Sequence, residues 1–158
     1  MKFQKKFFLH LQSRELIGFG DKIVLAVSGG ADSTALLYAL YDIRHKMGLE
    51  LVVAHYDHHL RSSSVKDSAF VKKISARLGL PFKTEINRRG VPKSGSIEEF
   101  ARQQRYGFLF RVAKKLKADA VVTAHTRDDL AETVLMRLLR GTGLNGLQSI
   151  LPMRYING

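Results

Sequence analysis

A short segment that changes from apolar residues to glycine and hydroxyl residues constrains the fold of this chain more than any other. Residues 23–37 read IVLAVSGGADSTALL, which predicts a buried β-strand, a tight glycine turn and a helix. The helix is indicated by apolar residues at helical spacing, Leu36, Leu40, Ile43 and Met47. Free backbone N–H groups and the positive end of the helix dipole meet where such a turn enters a helix. The sequence therefore predicts an anion-binding loop.

The loop does not match the common nucleotide-binding motifs. A Walker A loop needs a lysine after its glycines, and the dinucleotide fingerprint G-x-G-x-x-G is absent here. The string SGGADS instead resembles the SGGxDS loop of the N-type ATP pyrophosphatases, which split ATP into AMP and pyrophosphate. This resemblance assigns ATP binding to the whole loop, Ser28, Gly29, Gly30, Ala31, Asp32 and Ser33, with Ser28, Ser33 and Thr34 as added hydroxyl donors. An ordinary glycine-rich turn is the alternative, but it requires neither Asp32 nor the serines.

Strand-like and helix-like segments alternate along the chain. We predict strands at 23–27, 51–55, 82–86 and 120–124, and helices at 5–16, 32–47, 64–78, 96–117 and 127–140. Capping boxes mark three helix starts, Ser64 with Asp67, Ser96 with Glu99, and Thr126 with Asp129. The alternation predicts an α/β fold, a doubly wound and mainly parallel sheet with helices on both faces. Its ligands are expected at the carboxyl ends of the strands, at 28–33, 55–61 and 125–129.

Composition narrows the class of protein. The 158 residues suffice for one domain, and they contain neither a run of 18 apolar residues nor a secretory signal, so we expect a cytoplasmic protein. The absence of cysteine excludes a disulfide scaffold and a cysteine-ligated cluster held by this chain. The net charge is +12, and residues 61–117 hold 15 basic residues against four acidic ones. This excess favours a polyanionic partner, with a solvated basic surface as the alternative.

A second group of polar residues follows the last predicted strand. Residues 124–147 read AHTRDDLAETVLMRLLRGTGLNGL, and helical spacing places Asp128, Asp129 and Glu132 on one side of the predicted helix. Such carboxylates can hold Mg²⁺ or receive a cationic group near a triphosphate. Taken singly, each has a simpler interpretation as a capping acid, a partner of the helix dipole or a surface residue.

Four segments together resemble the N-terminal catalytic domain of the tRNA(Ile)-lysidine synthetase family. They are SGGADS at 28–33, HYDHHLR at 55–61, EEFARQQRYGFL at 98–109, and the segment at 124–147. His59 stands where many members have glycine. The resemblance implies that ATP adenylates the C2 oxygen of the wobble cytidine in an isoleucine tRNA, and that the amine of L-lysine then displaces AMP.

The resemblance also implies roles for individual residues. Asp32 and Asp128 would hold Mg²⁺, and Asp129 and Glu132 would receive the lysine ammonium. The arginines Arg102 and Arg105 would bind phosphate or cytosine. The remaining nucleotide-binding positions would be His55, His125, Arg140 and Gly141.

Family members usually continue into further domains that recognise tRNA, so we expect residues 1–158 to be a single catalytic domain from a longer protein. Two alternatives stay open. One is a tRNA thiolase of the two-thiocytidine type, whose chemistry generally uses cysteine. The other is a non-catalytic module that binds ATP or RNA, against which the intact acidic residues of the motifs argue.

Overall fold

The structure is a computed structural model, and it describes residues 3–59, 64–88, 90 and 96–125. Its helices are α1 (Phe3–Ser13), α2 (Ala31–Met47), α3 (Ser64–Arg77) and α4 (Ile97–Leu116), and its strands are β1 (Lys22–Ala26), β2 (Glu50–Asp57), β3 (Phe82–Ile86) and β4 (Ala120–Thr123). The helix predicted at 127–140 lies outside the described residues. None of the described helices is both long and apolar enough to cross a membrane.

The four strands form one parallel sheet in the order β3-β2-β1-β4. The chain runs outward from β1 through β2 to β3, and then returns to the other side of β1 as β4. The strand order therefore reverses between β1 and β4, which is where doubly wound sheets bind their ligands. The predicted fold class is confirmed.

Side-chain alternation along the strands builds a core on each face of the sheet. On one face, Leu25 and Val53 are fully buried against helices α1, α2 and α3. On the other face, Val24 packs with Phe108 and Leu109 of α4. Parallel strands buried on both faces read as continuous apolar runs, which explains why β1 and β2 were recognisable in the sequence.

The element boundaries differ from the predicted ones in a few places. Strand β2 reaches Asp57, two residues beyond the predicted end, because the polar groups of His55 and Asp57 find partners inside the fold. Helix α1 ends at Ser13 rather than at residue 16, since Glu15 has a positive φ of 49° that a helix cannot contain. In α2, Leu37, which the predicted apolar pattern did not include, is fully buried.

Candidate functional site

The predicted anion-binding loop connects β1 to α2, and its shape depends on one glycine. Gly29 has a φ of +96°, and a Cβ atom there would lie 3.3 Å from Cβ of Asp67 in α3. Only glycine adopts such a conformation without strain, and the contact with α3 leaves little room for a side chain. Gly30 has an ordinary φ of −73° and is the N-cap of α2.

Hydrogen bonds within the loop use the two serine hydroxyl groups. Ser33 Oγ, which is buried, donates to the carbonyl of Gly30 at 3.1 Å and accepts from the N–H of Ser28 at 3.2 Å. Ser28 Oγ lies 3.0 Å from Ser33 Oγ and accepts from the N–H of Gly30 at 3.3 Å. Because the Ser33 proton is engaged with Gly30, Ser28 donates in the contact between the hydroxyls. In this structure both hydroxyls therefore hold the loop together rather than point to a ligand.

Backbone N–H groups remain for the ligand. The first helical hydrogen bond runs from the N–H of Thr34 to the carbonyl of Gly30, at 3.1 Å. The N–H groups of Ala31, Asp32 and Ser33 precede it and have no carbonyl partner within the helix. No side chain caps this helix, so its N-terminus is open to an anion.

Asp32 lies in the first turn of α2 with its side chain exposed. In the part of the chain that the structure describes, no cluster of three or more His, Cys, Asp or Glu side chains forms a metal cage. Mg²⁺ is commonly held by one or two carboxylates together with substrate phosphates. A single carboxylate beside an anion-binding loop fits that mode.

His55 lies on β2 beside the start of the loop, and its side chain is buried, with 3% of the residue exposed. Its Nδ1 atom is 2.8 Å from the carbonyl oxygen of Val27, the residue that precedes Ser28. Strand pairing holds His55 close to Val27, because the N–H of Val27 donates to the carbonyl of Ala54 at 2.9 Å. The structure therefore brings His55 next to the loop to which the sequence assigned it.

A second polar group forms where β2 ends and faces α4. Asp57 is buried, and its Oδ1 accepts from the N–H of His59 at 2.7 Å. The His58 ring meets the ring of Tyr56 edge to face at 4.9 Å. Burial, and then the guanidinium of Arg105, lower the pKa of His58, while the carboxylate of Asp57 opposes this shift. Asp57 and His58 fall in the ligand region 55–61 expected from the sequence, but neither was given an individual role there, since sequence patterns do not show that α4 packs against this strand end.

The two arginines predicted from the sequence lie on α4, and both approach the ring of Tyr106. Cζ of Arg102 is 5.9 Å from the ring centroid and Cζ of Arg105 is 5.4 Å from it. Arg102 is exposed. The Nε atom of Arg105 is buried and has no hydrogen-bond partner among the described residues. The structure thus brings Arg105 close to the end of β2, whereas Arg102 is exposed to solvent.

The remaining predicted residues follow β4. Ala26 and Thr123 are paired in the sheet, so Ser28 and His125, each two residues further on, leave neighbouring strands at the same edge. His125 is exposed. Five predicted residues lie outside the described part of the chain, namely Asp128, Asp129, Glu132, Arg140 and Gly141.

An open helix N-terminus at the point where the strand order reverses is typical of α/β domains that bind an anionic ligand at the edge of the sheet. The particular family follows from comparison with known proteins. The chain belongs to the PP-loop domain family, whose profile matches residues 3–157.

Several curated relatives are tRNA(Ile)-lysidine synthases. The protein from Petrotoga mobilis is 36% identical over 154 residues, which cover 96% of this chain and 50% of that protein. The protein from Dehalococcoides mccartyi is 40% identical over 148 residues, or 91% of this chain and 31% of that protein. The protein from Thermus thermophilus is 49% identical over 125 residues, or 77% and 24%. The family resemblance predicted from the motifs is confirmed, and this chain spans half or less of each of these relatives.

Two solved structures share the fold at low sequence identity. The U34-tRNA thiolase NcsA from Methanococcus maripaludis aligns with a TM-score of 0.77 at 19% identity, over 88% of this chain and 49% of that chain. The NH3-dependent NAD synthetase from Campylobacter jejuni aligns with a TM-score of 0.57 at 15% identity, over 89% and 59%. At these identities the likeness concerns the fold alone.

Proposed function

We propose that this chain is the ATP-using domain of a tRNA(Ile)-lysidine synthase, which joins L-lysine to the wobble cytidine of an isoleucine tRNA. One observation carries the proposal: the N–H groups of Ala31, Asp32 and Ser33, free of helical partners, stand at the strand-order reversal, in a chain whose curated relatives include that enzyme. The relatives are longer than this chain, so further domains of the full protein would share the work of binding tRNA.

The proposed reaction has two steps. In the first, the C2 oxygen of cytidine bonds to the α-phosphorus of ATP, and the bond between the α- and β-phosphates breaks to release pyrophosphate. In the second, the lysine amine bonds to C2 while the bond to the adenylated oxygen breaks, which releases AMP and a proton. The charge that develops on the departing pyrophosphate is stabilised by the N–H groups of the loop and by the dipole of α2.

The residue roles follow from the site and from the family resemblance. Asp32, with Asp128, would hold Mg²⁺, which supplies positive charge to the phosphates when bound. The nucleotide would contact the loop Ser28–Gly29–Gly30–Ala31 with Ser33, and also His55, His125, Arg140 and Gly141. The arginines Arg102 and Arg105 would receive phosphate or cytosine.

The lysine substrate would be recognised by the acidic residues after β4. Asp129 and Glu132 would receive its ammonium group, and a carboxylate there would accept the proton that the amine loses on reaction. The chain holds no cysteine for a cluster or a persulfide, which favours this ligase over the thiolase alternative. We place the protein in the cytoplasm, where ATP, lysine and tRNA are all available.

Transfer of labelled lysine tests the proposal. The chain is incubated with ATP, Mg²⁺, labelled L-lysine and an isoleucine tRNA transcript, and the tRNA is then analysed by mass. We expect a mass increase equal to one lysine less one water, together with pyrophosphate release. Pyrophosphate release without lysine incorporation, or no release, would contradict the proposal.

A matched pair of variants in α2 links the activity to the loop. Asp32→Asn should abolish pyrophosphate release, because it removes the carboxylate charge that would hold Mg²⁺ against the phosphates. Asp42→Asn is the control, since Asp42 is an exposed carboxylate about 15 Å further along the same helix, where it accepts from Gln4 at 3.2 Å. Both variants should keep the fold. Equal pyrophosphate release by the two would show that Asp32 does not hold the metal.

A further inference from the structure

The tautomer of His55 is set by the backbone carbonyl next to it. The carbonyl of Val27 only accepts hydrogen bonds, so the 2.8 Å contact requires that His55 Nδ1 carries a hydrogen and donates it. In the neutral imidazole the other nitrogen, Nε2, then has a lone pair and no hydrogen. His55 therefore presents an acceptor on the side of the ring that faces away from Val27.

That acceptor is buried and unused. Nε2 of His55 has no hydrogen-bond partner among the described residues, although only 3% of the residue is exposed. Buried polar atoms are nearly always paired, and an unpaired one costs stability. Protonation of Nε2 would not remove the cost, because it would leave a charged N–H without an acceptor. A ligand that donates a hydrogen bond would satisfy this atom.

The position of the ring indicates which ligand this is. His55 contacts the residue that precedes the anion-binding loop, so a nucleotide with its phosphates on the loop extends its nucleoside near this strand end. Oγ1 of Thr34, on the first turn of α2, is also buried without a partner in the described part of the chain. Unpaired polar atoms thus occur both on α2, the helix that follows the loop, and on β2.

We propose that His55 Nε2 accepts a hydrogen bond from the nucleoside part of the bound nucleotide, either from the 6-amino group of adenine or from a ribose hydroxyl. The proposal rests on the proposed function, since it takes ATP as the ligand of the loop. It makes His55 a specificity-determining residue. If the donor is the 6-amino group, the same position also disfavours guanine, whose O6 would set one lone pair against another.

Two substitutions separate the two nitrogens of the ring. His55→Asn keeps an N–H donor near the position of Nδ1, so the bond to Val27 survives, but its shorter side chain cannot reach the position of Nε2. His55→Gln has a longer side chain whose amide reaches that position and supplies an acceptor. We expect His55→Asn to bind the ATP analogue α,β-methylene-ATP about tenfold more weakly than the unchanged chain, as one lost hydrogen bond implies. His55→Gln should recover part of the affinity.

Nucleotide analogues identify the donor. Purine riboside triphosphate lacks the 6-amino group, and 2′-deoxy-ATP and 3′-deoxy-ATP each lack one ribose hydroxyl. The unchanged chain should bind one of these about tenfold more weakly than ATP, and His55→Asn should bind that analogue as tightly as the unchanged chain does. Thermal unfolding of each variant checks the fold, and His45→Asn, at an exposed position near the end of α2, is the control.

The possible failures are distinguishable. If the unchanged chain binds ATP but His55→Asn binds it equally well, or loses the same factor for ATP and for every analogue, the role of His55 is wrong. If the unchanged chain binds all the analogues as tightly as ATP, the role is again wrong, whatever the variants do. If the unchanged chain binds no ATP, the proposed function itself fails.

Discussion

At the scale of single residues, the two adjacent glycines of the loop have different structural roles. Any other residue at position 29 would have to adopt a φ of +96°, and its Cβ would lie 3.3 Å from Cβ of Asp67. A Cβ at position 30 would meet Ser28 Oγ at an ordinary 3.5 Å. We expect Gly29→Ala to lower the free energy of unfolding by about 2 kcal/mol. Gly30→Ala should cost less than about 1 kcal/mol. Urea unfolding of both variants measures the difference, and equal losses would contradict the structure.

His58 should make stability depend on pH. Burial and the nearby Arg105 lower its pKa in the folded state below the usual 6.5. The unfolded chain therefore takes up this proton first as the pH falls, so the free energy of unfolding decreases below about pH 6.5. We expect the unchanged chain to lose more stability between about pH 7.5 and about pH 5.5 than His58→Gln does. His45→Gln, at an exposed histidine, should behave like the unchanged chain, and parallel profiles for all three would rule out this coupling.

The sequence motif identified the loop residues but not what each one does. Ser28 and Ser33 were expected to donate hydroxyl groups to a phosphate, and in the structure their protons are used inside the loop. A motif shows which side chains are near each other along the chain. The direction of the Ser33 hydroxyl proton depends on the position of the Gly30 carbonyl, which a motif does not specify.

At the scale of elements, most strands and helices could be predicted because their apolar periodicity is strong. Strand β3 has its predicted limits, Phe82–Ile86. Strand β2 was predicted to end at His55, two residues short, because an aspartate at position 57 is typical of a loop. The polar side chains of His55 and Asp57 both lie at this strand end. These side chains are buried since the carbonyl of Val27 and the N–H of His59 satisfy them, and both partners come from neighbouring turns that local sequence patterns do not reveal.

The cap of α4 gives an element-scale prediction. Ser96 is its N-cap, as the capping box indicated, and its Oγ accepts from the N–H of Glu99 at 3.3 Å. Ser96→Ala leaves that N–H unpaired, so we expect a loss of about 1 kcal/mol in the free energy of unfolding. Ser96→Asp should keep the stability that the alanine variant loses, because a carboxylate also accepts the hydrogen bond from Glu99 and interacts favourably with the helix dipole. An alanine variant as stable as the aspartate variant would show that this cap contributes nothing.

At the scale of the whole molecule, the basic residues of α3 and α4 do not form one surface. Helices α3 and α4 cover opposite faces of the sheet, so the lysines of α3 and the basic residues of α4 face different ways. The sequence showed the excess of charge but could not show this division. Within α4, the last turn lies at the amino end of the sheet, because Asp119, just beyond the helix, donates from its N–H to the carbonyl of Lys22 at 2.8 Å.

This arrangement predicts which cations bind tRNA. Arg102 and Arg105 are in the half of α4 near the site, whereas the exposed Lys114 and Lys115 lie about 14 Å or more further along the helix. Affinity for an isoleucine tRNA transcript should fall steeply with salt, since each phosphate contact releases counterions. We expect Arg102→Gln with Arg105→Gln to reduce the slope of log affinity against log salt by about 1 to 2, as one or two lost phosphate contacts would. Lys114→Gln with Lys115→Gln removes the same charge and should leave the slope nearly unchanged. Equal reductions in both double variants would mean that tRNA is held by overall charge, and a reduction confined to the lysine pair would place the nucleic acid at the opposite end of the sheet.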